Sequence, residues 1–280
     1  MEHSLKILRT EADIGLGHEF RFLHITDTHI PLDDPGKETD RYRCFENDFP
    51  NCPAEYFHMA CRYAAENGLL MLNTGDFFDF LSERNFAFAD RYLLPTDTIY
   101  TAGNHDFCHC VGAAKEDEPY KWEMIGRSAP HLPNNLYFYS RIVDGVNFVT
   151  LDNSYYRMTD GQIDLLRAEA ARGYPIVLGI HCPLFHRAQA DQILANGNPC
   201  AYLMGAPREY LEKYPPDRRE QQAPDAATER AMAYLLHEPA IRLIVAGHTH
   251  INFEETLENG IPQLTTAGSF DGYVREVVLH

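Results

Sequence analysis

The chain has 280 residues, with 24 Lys and Arg against 41 Asp and Glu and a formal net charge of −17 at pH 7. Apolar residues at 45% and charged residues at 23% are the proportions of a globular domain, which excludes a disordered tail, a collagen-like fibre and a membrane-spanning protein. So acidic a surface repels phosphate polyanions at long range, so long duplex nucleic acid is not an expected partner.

Met1 to Glu19 scatters charges and contains no apolar run of the kind a secretory signal carries. The seven cysteines are irregularly spaced and form no C-x-x-C pair. Reduced thiols in a cytoplasmic protein are therefore expected, and Cys108 and Cys110 around His109 lack the partners a metal triplet needs. The first apolar strand is Phe20–Thr26, within which His24 reads as a core histidine. Residues 33–53, rich in charge and containing Pro35, Pro50 and Pro53, read as an insertion. Next come a helical pattern at Ala54–Asn67, a strand at Leu69–Thr74, a helix at Ser82–Arg91 and a strand at Thr98–Ala102.

Tyr137–Val143 and Asn147–Leu151 flank Asp144-Gly145, a hairpin signal. Thr159–Arg172 reads as a helix with Thr159 as N-cap, stopped at Gly173 before Pro175. After the strand Ile176–Ile180, residues 187–224 form a second insertion with five prolines. A helix at Asp225–His237 and a strand at Ile241–Ala246 follow. Asn252–Leu257 and Gln263–Ala267 then flank Glu258-Asn259-Gly260, and the chain closes on Tyr273–Leu279. Near-continuous apolar strands, some joined by hairpins, imply mixed sheets in one α/β domain spanning 1–280. Both insertions leave directly after a strand-end motif, where long loops tend to wall a ligand site.

Five strand ends carry metal-capable side chains: Asp27-Thr28-His29, Gly75-Asp76…Asp79, Gly103-Asn104-His105-Asp106, His181 and Gly247-His248-Thr249-His250. Asp-x-His and His-x-His let two ligands converge on one cation where the backbone turns out of a strand. The preceding glycines permit a tight turn and a close backbone approach. Carboxylate, carboxamide and imidazole without thiolate suit Mn, Fe or Zn in a reactive site rather than a structural zinc cage. More than four candidate ligands imply two ions, the standard device for displacement at phosphorus.

In this order the five blocks resemble the calcineurin-like metallophosphoesterase superfamily. They come nearest in flavour to its cyclic-nucleotide phosphodiesterase-like and purple acid phosphatase-like members. The resemblance covers residues 27 to 250 and implies a four-layer α/β/β/α sandwich with two mixed sheets. It implies one metal on Asp27, His29 and His250, a second on Asn104, His181 and His248, and Asp76 bridging them. It further implies in-line attack on phosphorus by a metal-bridging hydroxide, with His105 protonating the leaving group, Asp106 orienting His105, and Asp79 holding a ligand histidine or the loop.

Phe80-Leu81 follows Asp79 where some phosphoprotein phosphatases continue with an arginine, which weakens that reading. Leu151-Asp152-Asn153-Ser154-Tyr155-Tyr156 resembles a stretch of the phosphodiesterase-like members, and either tyrosine can line a pocket. His186-Arg187 reads as solvated loop, while His109, His131 and His237 have no partner pattern. The expected function is dinuclear-metal hydrolysis of a small phosphodiester or phosphomonoester. The competing readings are a catalytically silent scaffold for protein binding and a nuclease on short nucleic acids. No ligand position is missing, which disfavours the first, and no Lys/Arg-rich stretch supports the second. The sequence also shows no amphipathic basic anchor for a membrane surface.

Overall fold

The structure, a computed structural model, describes residues 3–32, 34, 53–108 and 118–280. One sheet combines β1 (Lys6–Ala12), β2 (Phe20–Ile25), β3 (Leu70–Asn73) and β4 (Thr98–Tyr100) with the last strand, β11 (Tyr273–Leu279). Its order is β1-β11-β2-β3-β4. The other holds β5 (Phe138–Val143), β6 (Val146–Leu151), β7 (Ile176–Gly179), β8 (Ile241–Ala246), β9 (Phe253–Thr256) and β10 (Pro262–Thr265), in the order β5-β6-β7-β8-β10-β9. Both sheets are mixed. β2, β3 and β4 run parallel, as do β6, β7, β8 and β10, while β11, β5 and β9 each make an antiparallel pairing.

Two-residue alternation divides the central strands between separate apolar seams. Phe22, Leu70, Leu72, Val177, Leu243 and Val245 meet between the sheets. Leu23, Ile25 and Met71 face the other way, onto residues of α1 (Pro53–Asn67), α2 (Glu83–Tyr92) and α3 (Glu118–Ser128). Ile176, Leu178, Ile241 and Ile244 likewise meet α4 (Asp160–Ala170) and α8 (Ala226–Leu235). Three seams make four layers, the expected α/β/β/α sandwich. Each fully buried aliphatic side chain contributes about 1.5–3 kcal/mol.

The caps explain where the helices begin. Ser82 accepts from the Asn85 N–H at α2, Asp225 from the Thr228 N–H at α8, and Thr159 with Gln162 forms a capping box at α4. β1 and α3 lie outside the predicted elements. β1 is an edge strand with alternating exposure, paired among the described strands only to β11, so it has no continuous apolar run to betray it. Residues 187–224 form α5 (Arg187–Ala195), α6 (Arg208–Leu211) and α7 (Pro216–Gln222) around a cluster of their own, including Ile193, Leu203, Tyr210 and Tyr214. Helices this short never develop a readable period. The first insertion lies outside the described residues except for residues 34 and 53. Cys61, Cys108, Cys182 and Cys200 are free thiols, and no described helix is long and apolar enough to cross a membrane.

His24 is the core histidine its position suggested. Buried between the sheets, its Nδ1 lies 2.9 Å from Thr266 Oγ1 and its Nε2 2.9 Å from Thr74 Oγ1. Burial, then the charge of Arg275, lowers its pKa from 6.5 to about 3. Below 6.5 the unfolded chain binds this proton and the folded one does not. Stability therefore falls as the pH drops from 6.5 towards 3, by up to about 1.4 kcal/mol per pH unit. In urea melts, His24→Gln should lose less stability than wild type between about pH 6.5 and pH 4.5. Equal slopes would assign the acid sensitivity elsewhere.

Candidate metal centre

The loops carrying the predicted ligands leave the carboxyl ends of β2, β3, β4, β7 and β8. Two glycines let them converge. A Cβ on Gly103 would collide with the Asp76 carboxylate, and one on Gly247 with the side chains of Thr26 and Asp27. The backbone is strained at the same place. Among the described residues, the non-glycine positions with positive φ are Asp27, His29, Asp76, Asp144, Tyr156, Tyr202, His248 and His250. Five of these eight are predicted ligands, and Asp144 is the turn of the β5–β6 hairpin. Strain of this kind persists only where surrounding contacts enforce it, and it gathers at functional sites.

Asp27, His29 and His250 form one group able to hold a metal ion, and Asp76, His181 and His248 another. In the first group, His250 Nε2 lies 3.2 Å from Asp27 Oδ1 and 3.3 Å from His29 Nε2. In the second, His181 Nε2 lies 3.0 Å from His248 Nδ1, 3.1 Å from Asn104 Oδ1 and 3.3 Å from Asp76 Oδ2. Asp76 Oδ2 is also 3.7 Å from His29 Nε2, so one carboxylate oxygen faces both groups.

The donors fit a cation in each group. Asp27 Oδ1 is buried and accepts no hydrogen bond from any described residue, and the borderline donor set matches Mn, Fe or Zn. Electrostatics point the same way. Burial alone would lower the pKa of His29, yet the neighbouring Asp27 carboxylate, the hydrogen bond to Asp79 and the charge of Asp76 raise it to about 10. His181 rises to about 9, where Asp76 and Asp27 outweigh its burial. His248 falls to about 3 through burial and the neighbouring His181 charge. The carboxylates thus draw positive charge into a desolvated space, in the form of protons unless a metal displaces them.

The loop at β4 departs from expectation in one respect. Asp106 does not orient His105. Its carboxylate accepts from the N–H groups of Asp76, Phe77, Phe78 and Gly103 and from the Tyr100 hydroxyl, clamping the loop that carries Asp76. Burial and the nearby Asp76 raise its pKa to about 6. Asp79 takes the orienting role instead. Its backbone oxygen lies 2.8 Å from His105 Nδ1, while its Oδ1 lies 3.0 Å from His29 Nδ1. A carbonyl only accepts, so His105 carries its ring hydrogen on Nδ1.

Tyr156, not Tyr155, reaches the site, with its hydroxyl 2.7 Å from His248 Nε2. Tyr155 is buried among core residues. Phe77 and Phe78 belong to that same core rather than to the cleft. His186 Nδ1 meets Glu255 Oε2 at 2.6 Å and Arg187 pairs with Glu209, so neither is on the site. His131 stacks on Phe86, His237 bonds the Ala233 carbonyl, and His109 and Cys110 lie outside the described residues.

A cleft of about 290 Å³ opens over Asp76, Asn104, His105, His248 and His250. Residues 187–224 supply its wall through Ile193, Asn196, Asn198, Tyr202 and Arg218. Sequence reasoning singled out the segment but none of these side chains. No spacing marks them, because they meet only once the segment folds back on its own apolar cluster.

Two mixed sheets with carboxylate and imidazole donors gathered at their carboxyl ends define a metallophosphatase sandwich. The chain belongs to the calcineurin-like phosphoesterase family, whose model matches residues 20–252. Among solved structures, a dimetal phosphatase from Danio rerio is similar over 90% of this chain and 88% of that one, with a TM-score of 0.53 at 15% identity. A purple acid phosphatase from yellow lupin (Lupinus luteus) seeds has a TM-score of 0.52 at 13% identity, covering 91% of this chain and 44% of the lupin chain. This chain therefore spans less than half the length of the lupin protein, and both likenesses are of fold. No curated protein matches the chain in sequence.

Proposed function

We propose that the protein hydrolyses a small phosphomonoester or phosphodiester at two divalent metal ions. Asp27, His29 and His250 hold one, Asn104, His181 and His248 the other, and Asp76 reaches both. The carrying observation is the place of Asp76 Oδ2, within 3.7 Å of His29 Nε2 and 3.3 Å of His181 Nε2. Bound there, two divalent ions supply Lewis acidity toward phosphoryl oxygens and a water acidic enough to act near neutral pH.

The chain's own residues do the rest. Asp79 fixes the Nδ1 side of both His29 and His105. With Nδ1–H donating to the Asp79 carbonyl, His105 Nε2 is the nitrogen left to take up a second proton, and the imidazolium so formed gives that proton to the leaving oxygen and returns to the neutral ring. Tyr156 holds His248 by its far nitrogen, which leaves Nδ1 to face His181. A cleft of about 290 Å³ favours a small ester over a nucleic-acid duplex.

The reading is tested by stripping metal with a chelator, restoring Mn, Fe or Zn singly, and following aryl phosphomonoesters and phosphodiesters. At least one ester should turn over only with metal restored. If none does with any of the metals, the phosphoesterase reading fails.

A further inference from the structure

The wall that residues 187–224 add to the cleft carries an arginine and no carboxylate. Acidic residues outnumber basic ones 41 to 24 in the chain, yet Arg218 is the one lysine or arginine among the described residues lining this space. It does not sit against the metal ligands. Its guanidinium carbon lies 5.8 Å from the centre of the Tyr202 ring, and that ring lies 5.9 Å, edge to face, from the ring of His248. One aromatic ring therefore separates Arg218 from the ligand set.

Tyr202 is held at φ 56, an uncommon backbone conformation for a bulky residue that the surrounding structure imposes, and its ring lies between Arg218 and His248. Arg218 donates from Nη1 to Gln221 Oε1 at 2.8 Å, and its Nε lies 3.8 Å from Asp217 Oδ2. Tyr202 and Gln221 thus fix the guanidinium plane on the wall. With a face given over to Arg218 and an edge contact to His248, Tyr202 serves as a seat for the arginine rather than a stacking shelf for a base. A fixed guanidinium matches the paired oxygens of a carboxylate or phosphate. The amide side chains of Asn196 and Asn198 line the same wall.

We propose that Arg218, seated on Tyr202, is a subsite for a second anionic group on the substrate, a phosphate or carboxylate borne by the leaving group. The preferred ester then carries negative charge at both ends, one end at the metal ligands and the other at Arg218. This rests on the phosphoesterase reading above and names its substrate class.

The test compares phenyl phosphate with 4-carboxyphenyl phosphate and 1,4-phenylene bisphosphate, in wild type, Arg218→Gln and Arg218→Lys. The quantity read is the ratio of kcat/KM for each charged ester to that for phenyl phosphate, which cancels defects common to all three. Losing one charged hydrogen-bonded contact should lower this ratio by about tenfold or more in Arg218→Gln, with partial recovery in Arg218→Lys. The ester with the larger fall identifies carboxylate or phosphate as the recognised group. An unchanged ratio in folded Arg218→Gln overturns the subsite. If wild type cleaves none of the esters, the phosphoesterase reading fails by itself. Calorimetric titration of the intact esters then decides the subsite: a preference for the charged esters lost in Arg218→Gln upholds it, and equal affinities in wild type and variant overturn it.

Discussion

Asp76→Asn should bind fewer than two metal ions per chain and lose phosphoester hydrolysis by about 10³-fold or more. Residues that merely orient a metal ligand are worth about 10–100-fold, and a shared ligand should exceed that. The reason lies in the two oxygens. Oδ2 faces His29 and His181, whereas Oδ1 accepts the His105 backbone N–H at 2.8 Å. Asparagine keeps the shape and one acceptor, so the turn survives. It loses the negative charge and turns an amide nitrogen or an uncharged oxygen toward the cations. Burial alone would raise the Asp76 pKa, but His181, His105 and His29 hold it well below the usual carboxylate range, so the charge removed is a full one. Metal content by mass spectrometry and initial rates measure the effect. Two ions per chain with wild-type rates would show that Asp76 does not bridge.

His105→Ala should leave the predicted ligands in place and lower kcat by about 10²–10⁴-fold on alkyl esters. On 4-nitrophenyl esters the loss should be much smaller, because that leaving oxygen departs without a proton. The contrast between leaving groups separates proton donation from a general defect. Equal losses on both esters would remove His105 from the acid role and leave it a part of the loop. The neighbouring Asp106 belongs to a different experiment, since its carboxylate organises the Asp76 loop rather than the His105 ring.

That division between adjacent residues explains what the sequence could and could not disclose. The predicted ligands were legible because each stands just past an apolar strand, and the sandwich brings all those strand ends to one side. The seams were legible for a related reason: Leu70–Asn73 and Ile176–Gly179 are buried on both faces, and residues 70–72 and 176–178 read as unbroken apolar runs. Asp106 was misassigned because adjacency suggested partnership. His105–Phe107 is a 3-10 turn, in which consecutive side chains point about 120° apart. One therefore faces the cleft while the other turns inward to the backbone donors. Tyr202 and Arg218 were illegible because fifteen intervening residues fold back through α6 before the two side chains meet.

The segment 187–224 packs on its own apolar cluster, yet it supplies one wall of a cleft whose floor belongs to the sandwich. On the proposed function, chemistry and selectivity then fall to different parts of the fold. Substitutions at Arg218 or Asn196 can change which molecule is accepted while the strand-end loops stay as they are. On the proposed function, a new specificity needs only one surface of that segment rewritten. The hydrolytic apparatus beneath would be inherited intact.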